Sequence, residues 1–154
     1  MLPYFESLAE EFHDLHEQIR NDLNSLPPEA LDWKPGPEMN SVSVIVVHLT
    51  GSERFLVGDV VMQEASNRNR DAEFMVKGMT RADLNRRLDE TEAYVRASFE
   101  KLTLEDLAKE RLHPRHGNQV KIAWALLHAL DHAATHLGHI NITTQLWHQH
   151  AVGG

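Results

Sequence analysis

With 154 residues, 42% hydrophobic and 25% charged, the chain has the balance of one globular domain, and we expect residues 1–154 to fold as a single domain. A net charge of −8 without a basic face argues against a nucleic-acid partner, and the lack of an apolar run of ~18 residues or a signal-peptide pattern argues against a membrane, so we expect a cytoplasmic protein. The absence of cysteine excludes disulfides and thiolate chemistry of the chain's own, whereas 11 histidines need an explanation.

Two helices are predicted in the first half of the chain. Apolar residues recur at intervals of three and four over residues 3–25, which predicts an amphipathic helix with Pro3 in its first turn. A loop rich in proline and glycine follows. Asn40 or Ser41 then caps a second helix, which we expect to run to about Ser66.

Two further helices are predicted in the second half. The third begins at Thr80, where Asp83 completes a capping box, and its apolar face comprises Leu84, Leu88, Thr91, Val95, Phe99 and Leu102. We expect a short turn at 103–107 and a loop at 113–119. The fourth helix runs from about Val120 to His148, and because it is apolar around most of its circumference at first, we expect it to be central and well covered.

No strand pattern is recognisable, so the four helices predict an all-α protein, a four-helix bundle. The linker at 67–79 can stretch roughly 40 Å at ~3.3 Å per residue, and a helix of the predicted second helix's length spans about 39 Å. This linker can therefore cross the whole bundle and allow the second and third helices to run parallel. The linker length alone does not decide the helix order.

The fourth predicted helix carries a stripe of four histidines. At ~100° per residue, His128, His132, His136 and His139 fall within about 80° of one another. Two histidines four residues apart can direct ring nitrogens at one metal ion. Both His128 with His132 and His132 with His136 have that spacing, so spacing alone leaves the pair ambiguous.

A third ligand must come from another helix, and the second predicted helix offers one histidine, His48. A lone histidine on an apolar face is more often a hydrogen-bonded core residue than a ligand. Three imidazoles buried in one core, however, would each need a separate polar partner, whereas one metal ion satisfies all three. The sequence therefore favours a metal site.

The other histidines are expected to lie outside this site. His13 points away from the apolar face of its helix and should be solvated, while His16 lies at the boundary and should be partly exposed, with a supporting role as the alternative. Residues 67–70, "NRNR", are expected in a solvated loop. His139 is left without an assignment. Four more are expected in a loop or a frayed C-terminus: His113, His116, His148 and His150.

The segments "VSVIVVHLTGSERFLVGDVV" and "HALDHAATHLGHINITTQLW" resemble the second and fourth helices of the DinB/YfiT-like superfamily. The resemblance covers essentially the whole chain in order and spacing. It implies an up-down-down-up bundle with a long crossover between the second and third helices, and metal ligands at His48, His132 and His136. It thereby chooses the later histidine pair, with His139 standing where glutamine is common.

Three neutral imidazoles without a fourth protein ligand describe an open site for Zn²⁺, Ni²⁺ or Fe²⁺. The resemblance implies a metal-dependent transferase or isomerase that activates a low-molecular-weight thiol, such as bacillithiol, mycothiol or glutathione. Here the thiol and an electrophilic substrate would be the partners. The alternatives are a non-catalytic, stress-related metal- or ligand-binding bundle and a metal-dependent hydrolase.

No catalytic residue can be assigned from the sequence. Glu53 and Asp131 neighbour the expected ligands along the chain, but helical rotation turns both aside from the ion. Because relatives in the superfamily often dimerise, and a four-helix core leaves apolar surface, we also expect a homodimer.

Overall fold

The computed structural model describes residues 1–153, and four long helices form its bundle. They are α1 (Pro3–Ser25), α2 (Val42–Arg54), α4 (Arg81–Phe99) and α5 (Ile122–Gly153). The connections contain 3₁₀ turns at Pro28–Asp32 and Leu104–Ala108, a short helix α3 (Arg70–Glu73), and the strands β1 (Glu110–His113) and β2 (Asn118–Lys121). The all-α four-helix bundle expected from the sequence is confirmed.

Hydrogen bonds at the helix ends show that α1 and α4 are antiparallel. Arg81, the first residue of α4, donates to the carbonyl of Leu26 just after α1. Further along α4, Glu92 accepts a hydrogen bond from His13 in the middle of α1. The chain therefore traverses the bundle in opposite directions along these two helices.

By the same reasoning, α2 and α4 are parallel. Thr50 of α2 contacts Arg87 near the start of α4, and Glu64, beyond α2, contacts Tyr94 later in α4. The beginning of α2 packs with the second half of α5, and the residues after α2 pack with the first half, so α2 and α5 are antiparallel. The order is up-down-down-up, with the crossover between α2 and α4, as the resemblance implied.

The second helix differs from its prediction in length and form. Ser41 is its N-cap, with its side chain accepting a hydrogen bond from the Val44 amide. Regular α-helix ends at Arg54, however, and Phe55–Met62 continues as π-helix up to Gln63, whose φ is +57°. The second helix therefore ends at Met62 rather than at about Ser66, and its last part is π-helix. The wider turns of a π segment commonly occur at functional sites, and this one begins close to His48.

The crossover is less open than the sequence suggested. It contains α3, which is capped by the side chain of Asn69 on the amide of Ala72. Arg68, expected in a solvated loop, has a side chain only 12% exposed because it is paired with Glu73. The crossover thus packs against α2 and does more than connect two helices.

A β-hairpin occupies the connection before α5, where no strand was predicted. β1 and β2 pair antiparallel, with His113 opposite Asn118 and Gly117 at φ +69° in the turn. Each strand has four residues, too few to show a clear alternation of apolar and polar residues. The hairpin replaces the loop expected at 113–119.

Helix α5 also differs from expectation, because it is longer and more of its apolar surface is exposed to solvent. It begins at Ile122 rather than Val120 and extends to Gly153 rather than His148. Trp124 and Leu127 are 44% and 58% exposed, so one apolar face is open rather than buried. Within residues 1–153, no helix has the length and hydropathy of a membrane span.

Candidate metal centre

The three histidines implied by the resemblance meet between α2 and α5. One nitrogen from each of the His48, His132 and His136 rings lies within 4.8 Å of a nitrogen on both of the others. The ring centroids are 5.0 Å apart for His48 and His132, 4.9 Å for His48 and His136, and 4.4 Å for the α5 pair. The spacing of four residues on α5 and the antiparallel packing of α2 produce this convergence.

His48 is held by a carboxylate that the sequence did not single out. Its Nδ1–H donates to Oε2 of Glu73 over 2.9 Å, which fixes the tautomer and leaves Nε2 free. Arg68 donates to both oxygens of Glu73, at 2.6 and 2.9 Å, and keeps the carboxylate in place. A histidine ligand backed by a carboxylate is the usual second layer of a metal site.

Gly51 makes room for Glu73. A Cβ placed on Gly51 would overlap Oε1 of Glu73, so only glycine lets the carboxylate pass α2 on its way to His48. In the segment "NRNRDAE", Asn69 is of a residue type that commonly caps helices, so the sequence could have predicted α3. Glu73 would then have been noticed as the last residue of that helix. Its contact with His48, 25 residues earlier, depends on the packing of the crossover.

The α5 pair is suited to bind a cation. Nδ1 of His132 is buried and has no hydrogen-bond partner among residues 1–153, which a bound cation would remedy. Burial, together with the neighbouring imidazoles, lowers the pKa of His132 to about 3 and that of His136 to about 4. Both rings are therefore neutral at pH 7, as metal ligands must be. The donor set fits a divalent metal ion.

The remaining two histidines of the α5 stripe flank this group. Nδ1 of His139 lies 3.2 Å from Nδ1 of His136, so His139 supports a site residue from the next turn. His128 lies on the other side, with its ring stacked on Trp124 at 4.9 Å and 6.3 Å from the His132 ring. The stripe thus extends the site along α5 in both directions.

A cleft leads to His48 and His132 from the hairpin side. It has a volume of about 130 Å³, and its walls include Ser52, Phe55, Arg68, Arg70, His113, Arg115, His116 and His128. His113, expected in a loop, lies in β1 and is buried against His116, with ring centroids 4.4 Å apart. Burial and the charge of His116 lower the pKa of His113. The hairpin therefore brings neutral and cationic side chains beside the three histidines.

His16 corrects another expectation, since it is fully buried rather than partly exposed. Its Nε2 lies 3.2 and 3.0 Å from the two carboxylate oxygens of Glu53, which is also fully buried. Burial opposes a charge on His16, but the Glu53 carboxylate, aided by Glu92, outweighs it and raises the pKa. Glu53 thus faces α1, away from the three histidines, as helical rotation predicted.

The other histidines make surface contacts. His13 is half exposed and donates to Glu92, in agreement with its expected solvated position. The C-terminal histidines are in helix rather than frayed: His150 stacks on Trp33 with ring centroids 5.5 Å apart, and Nε2 of His148 lies 3.5 Å from the Ser25 hydroxyl.

Several proteins of known structure share the fold of this bundle, and DinB-like proteins are among them. YfiT from Bacillus subtilis, described as a probable metal-dependent hydrolase with an unusual four-helix bundle topology, is 16% identical and has a TM-score of 0.74 over 94% of this chain and 89% of its own. A conserved protein from Enterococcus faecalis is 15% identical, with a TM-score of 0.79 over 95% and 98%. A histidine variant of the mycothiol-dependent maleylpyruvate isomerase is 12% identical, with a TM-score of 0.65 over 88% and 60%.

The chain therefore has the four-helix-bundle fold of the DinB/YfiT-like proteins, as the resemblance implied. Residues 2–151 match the family described as protein of unknown function DUF1572, and the chain belongs to that family. No curated protein matches the chain.

Proposed function

We propose that the protein is a metal-dependent enzyme in which His48, His132 and His136 hold a divalent ion, and that it activates a low-molecular-weight thiol for attack on an electrophile. The observation that carries this proposal is the convergence of three ring nitrogens within 4.8 Å, one of them on a histidine backed by Glu73. Three imidazoles leave a coordination position for a small molecule, and Zn²⁺, Ni²⁺ and Fe²⁺ all suit them.

A divalent ion at this site supplies Lewis-acid chemistry, which lowers the pKa of a thiol or a water molecule. The chain itself has no cysteine, so the thiol must be a cosubstrate. His113 lies in the wall of the cleft with a lowered pKa, and its Nδ1 accepts a hydrogen bond from the His116 amide, so its neutral ring presents Nε2–H as a hydrogen-bond donor to a bound substrate. Arg70 and Arg115 in the same wall suit a thiol that carries carboxylates, as bacillithiol and glutathione do.

A second candidate is a metal-dependent hydrolase. It is favoured by the shared fold with YfiT, described as a probable metal-dependent hydrolase, and by an open site that is equally able to activate water. The isomerase that shares the fold is described as mycothiol-dependent and favours the thiol chemistry instead. Because arginine side chains line the cleft, we prefer the reaction of an anionic thiol over hydrolysis.

The ligand assignment is tested by elemental analysis of untreated protein. We expect about one divalent ion per chain in the wild type and in His148→Ala, which removes a surface histidine, and a loss of most of it in His48→Ala. Unchanged metal content in His48→Ala would show that His48 is not a ligand.

The reaction class is tested with metal-loaded protein and two kinds of substrate. We expect turnover of a chloro-dinitrobenzene-type electrophile only when bacillithiol, mycothiol or glutathione is added. Hydrolysis of a nitrophenyl ester without a thiol would favour the hydrolase. Bound metal with neither activity would favour a non-catalytic metal-binding bundle.

A homodimer is also proposed. Support comes from α5, whose Trp124, Leu127 and Ile142 are each more than 40% exposed and leave apolar surface uncovered. Sedimentation at micromolar concentration is expected to give twice the chain mass of 17.6 kDa. A monomer throughout that range would exclude the dimer.

A further inference from the structure

A second cavity, larger than the histidine cleft, lies between α2, α4 and the crossover. Its volume of about 530 Å³ is in the range of small-molecule sites, which run from about 300 to 1,000 Å³. The Arg68–Glu73 pair forms part of its wall, and Arg68 also lines the histidine cleft. The two spaces are therefore neighbours, but none of the three histidines lines the larger one.

Arg54 is one of two cationic groups in this cavity that form no ion pair with a carboxylate among residues 1–153. Its guanidinium lies 3.5 Å from the centre of the Tyr94 ring, which fixes its position. Its Nη1 is buried and has no hydrogen-bond partner among residues 1–153. Gly58 leaves the necessary space, because a Cβ there would overlap Nη1. Arg54 also lines the cavity, so its guanidinium places beside this space a positive charge that no carboxylate of residues 1–153 pairs with.

Arg87 is the second such group. Its Nε donates to the hydroxyl of Thr50 at 3.4 Å, and it forms no ion pair with a carboxylate of the described chain. Burial, partly opposed by the charges of Glu73 and Glu90, lowers its pKa, although the group remains charged. Of the two acids in the wall, Glu73 is already neutralised by Arg68, and Glu90 is exposed. The cavity thus has an excess of positive charge in a protein of net charge −8.

We propose that this cavity is a binding site, distinct from the metal centre, for a small organic anion with a carboxylate or phosphate head and an apolar body. The planar guanidinium groups of Arg54 and Arg87 match the oxygens of either head group. Val47, Ala72 and Val76 line the same cavity and give the body an apolar surface. A purely inorganic ion would leave this surface uncovered.

Calorimetric titration with three matched probes tests the proposal: 4-phenylbutyrate, phenyl phosphate and the neutral 4-phenylbutanamide. At least one anion is expected to bind and the amide to bind much more weakly. Arg87→Gln and Arg54→Gln are each expected to raise the dissociation constant about tenfold or more. Arg86→Gln is the control, because it removes the same charge from the adjacent residue of α4, whose exposed side chain pairs with Asp83.

A comparison of 4-phenylbutyrate with phenyl phosphate shows whether the ligand is a carboxylate or a phosphate ester. Binding of either anion supports the proposed site. Arg87→Gln keeps the test valid if Arg54→Gln does not fold, since Arg87 does not contact the Tyr94 ring. Binding must survive removal of metal by a chelator, which separates this site from the proposed metal centre. Equal binding of the amide, equal affinity in Arg87→Gln and Arg86→Gln, or no binding of either anion at millimolar concentration would overturn the proposal.

Discussion

Nδ1 of His48 and Oε2 of Glu73 lie 2.9 Å apart, which joins the centre of α2 to the crossover between α2 and α4. A crossover that serves only to carry the chain back along the bundle between two parallel helices would not need a buried carboxylate. Because Arg68 holds both oxygens of Glu73, the orientation of His48 is set from outside the four helices.

The first prediction concerns the carboxylate itself. Glu73→Gln should weaken metal binding by about 10- to 100-fold, since it removes the charged partner that orients the His48 ring. The affinity is measured by competition with a coloured chelator. Glu90 is an exposed acid that lines the cavity between α2 and α4 together with Glu73. Glu90→Gln is therefore the control and should bind the metal as tightly as the wild type does. Equal affinities in the two variants would show that the contact is only structural.

The second prediction uses two glycines. Gly51→Ala should weaken metal binding in the same way as Glu73→Gln, because its Cβ would displace the Glu73 carboxylate. Gly138→Ala is the matched control, since Gly138 is also helical and has no heavy atom within 4 Å of the new Cβ. That control should raise the free energy of unfolding by about 0.5–1 kcal/mol and leave the affinity unchanged. Weakening in both variants would point to α-helix geometry rather than to Glu73.

The third prediction concerns the buried pair of His16 and Glu53. His16→Ala should lower the free energy of unfolding by about 3–5 kcal/mol, because it leaves the Glu53 carboxylate buried without its partner. The folded pKa of His16 is raised, so its contribution is complete below the unfolded pKa and is lost as pH rises through the folded value.

Urea unfolding at several pH values tests the direction of this pH dependence. The stability difference between wild type and His16→Ala should be largest below the unfolded pKa of about 6.5 and should narrow as pH rises above it. His13→Ala provides the control on the same helix, because its side chain is half exposed. A difference that grows as pH rises would contradict the assignment of a raised pKa.

The fourth prediction concerns the metal-free protein. Its stability should fall as pH decreases, whereas the contribution of His16 is lost as pH increases. The pKa values of His132 and His136 are lowered to about 3 and about 4, so the unfolded chain takes up protons at these residues first as pH falls below 6.5. The metal-free wild type should therefore lose about 1–3 kcal/mol of stability between about pH 6.5 and 5.

Urea unfolding in the presence of a chelator measures this loss. It should be smaller in the double variant His132→Gln/His136→Gln, which no longer titrates at these positions. His148→Gln, at an exposed site, should retain the full loss. An identical acid dependence in all three proteins would mean that the two imidazoles are not desolvated in the folded state.

The sequence by itself determined the four helices and several of their ends. The spacing of apolar residues predicts α1 and the buried face of α4, and both agree with the structure. The caps at Ser41 and Thr80 were also predictable, because each depends on a side chain and an amide within one helical turn. The spacing of His132 and His136 on α5 is local in the same sense.

Tertiary structure decided what lies between distant parts of the chain. Glu73 reaches His48 because the crossover folds back onto α2. His16 can be buried because the Glu53 carboxylate, which is buried beside it, is its hydrogen-bond partner. His113 joins the cleft through a hairpin whose strands are too short to show a periodic pattern. A periodic pattern reports only which face of an element is apolar, whereas the partner of a buried charge is selected by packing between elements far apart in sequence.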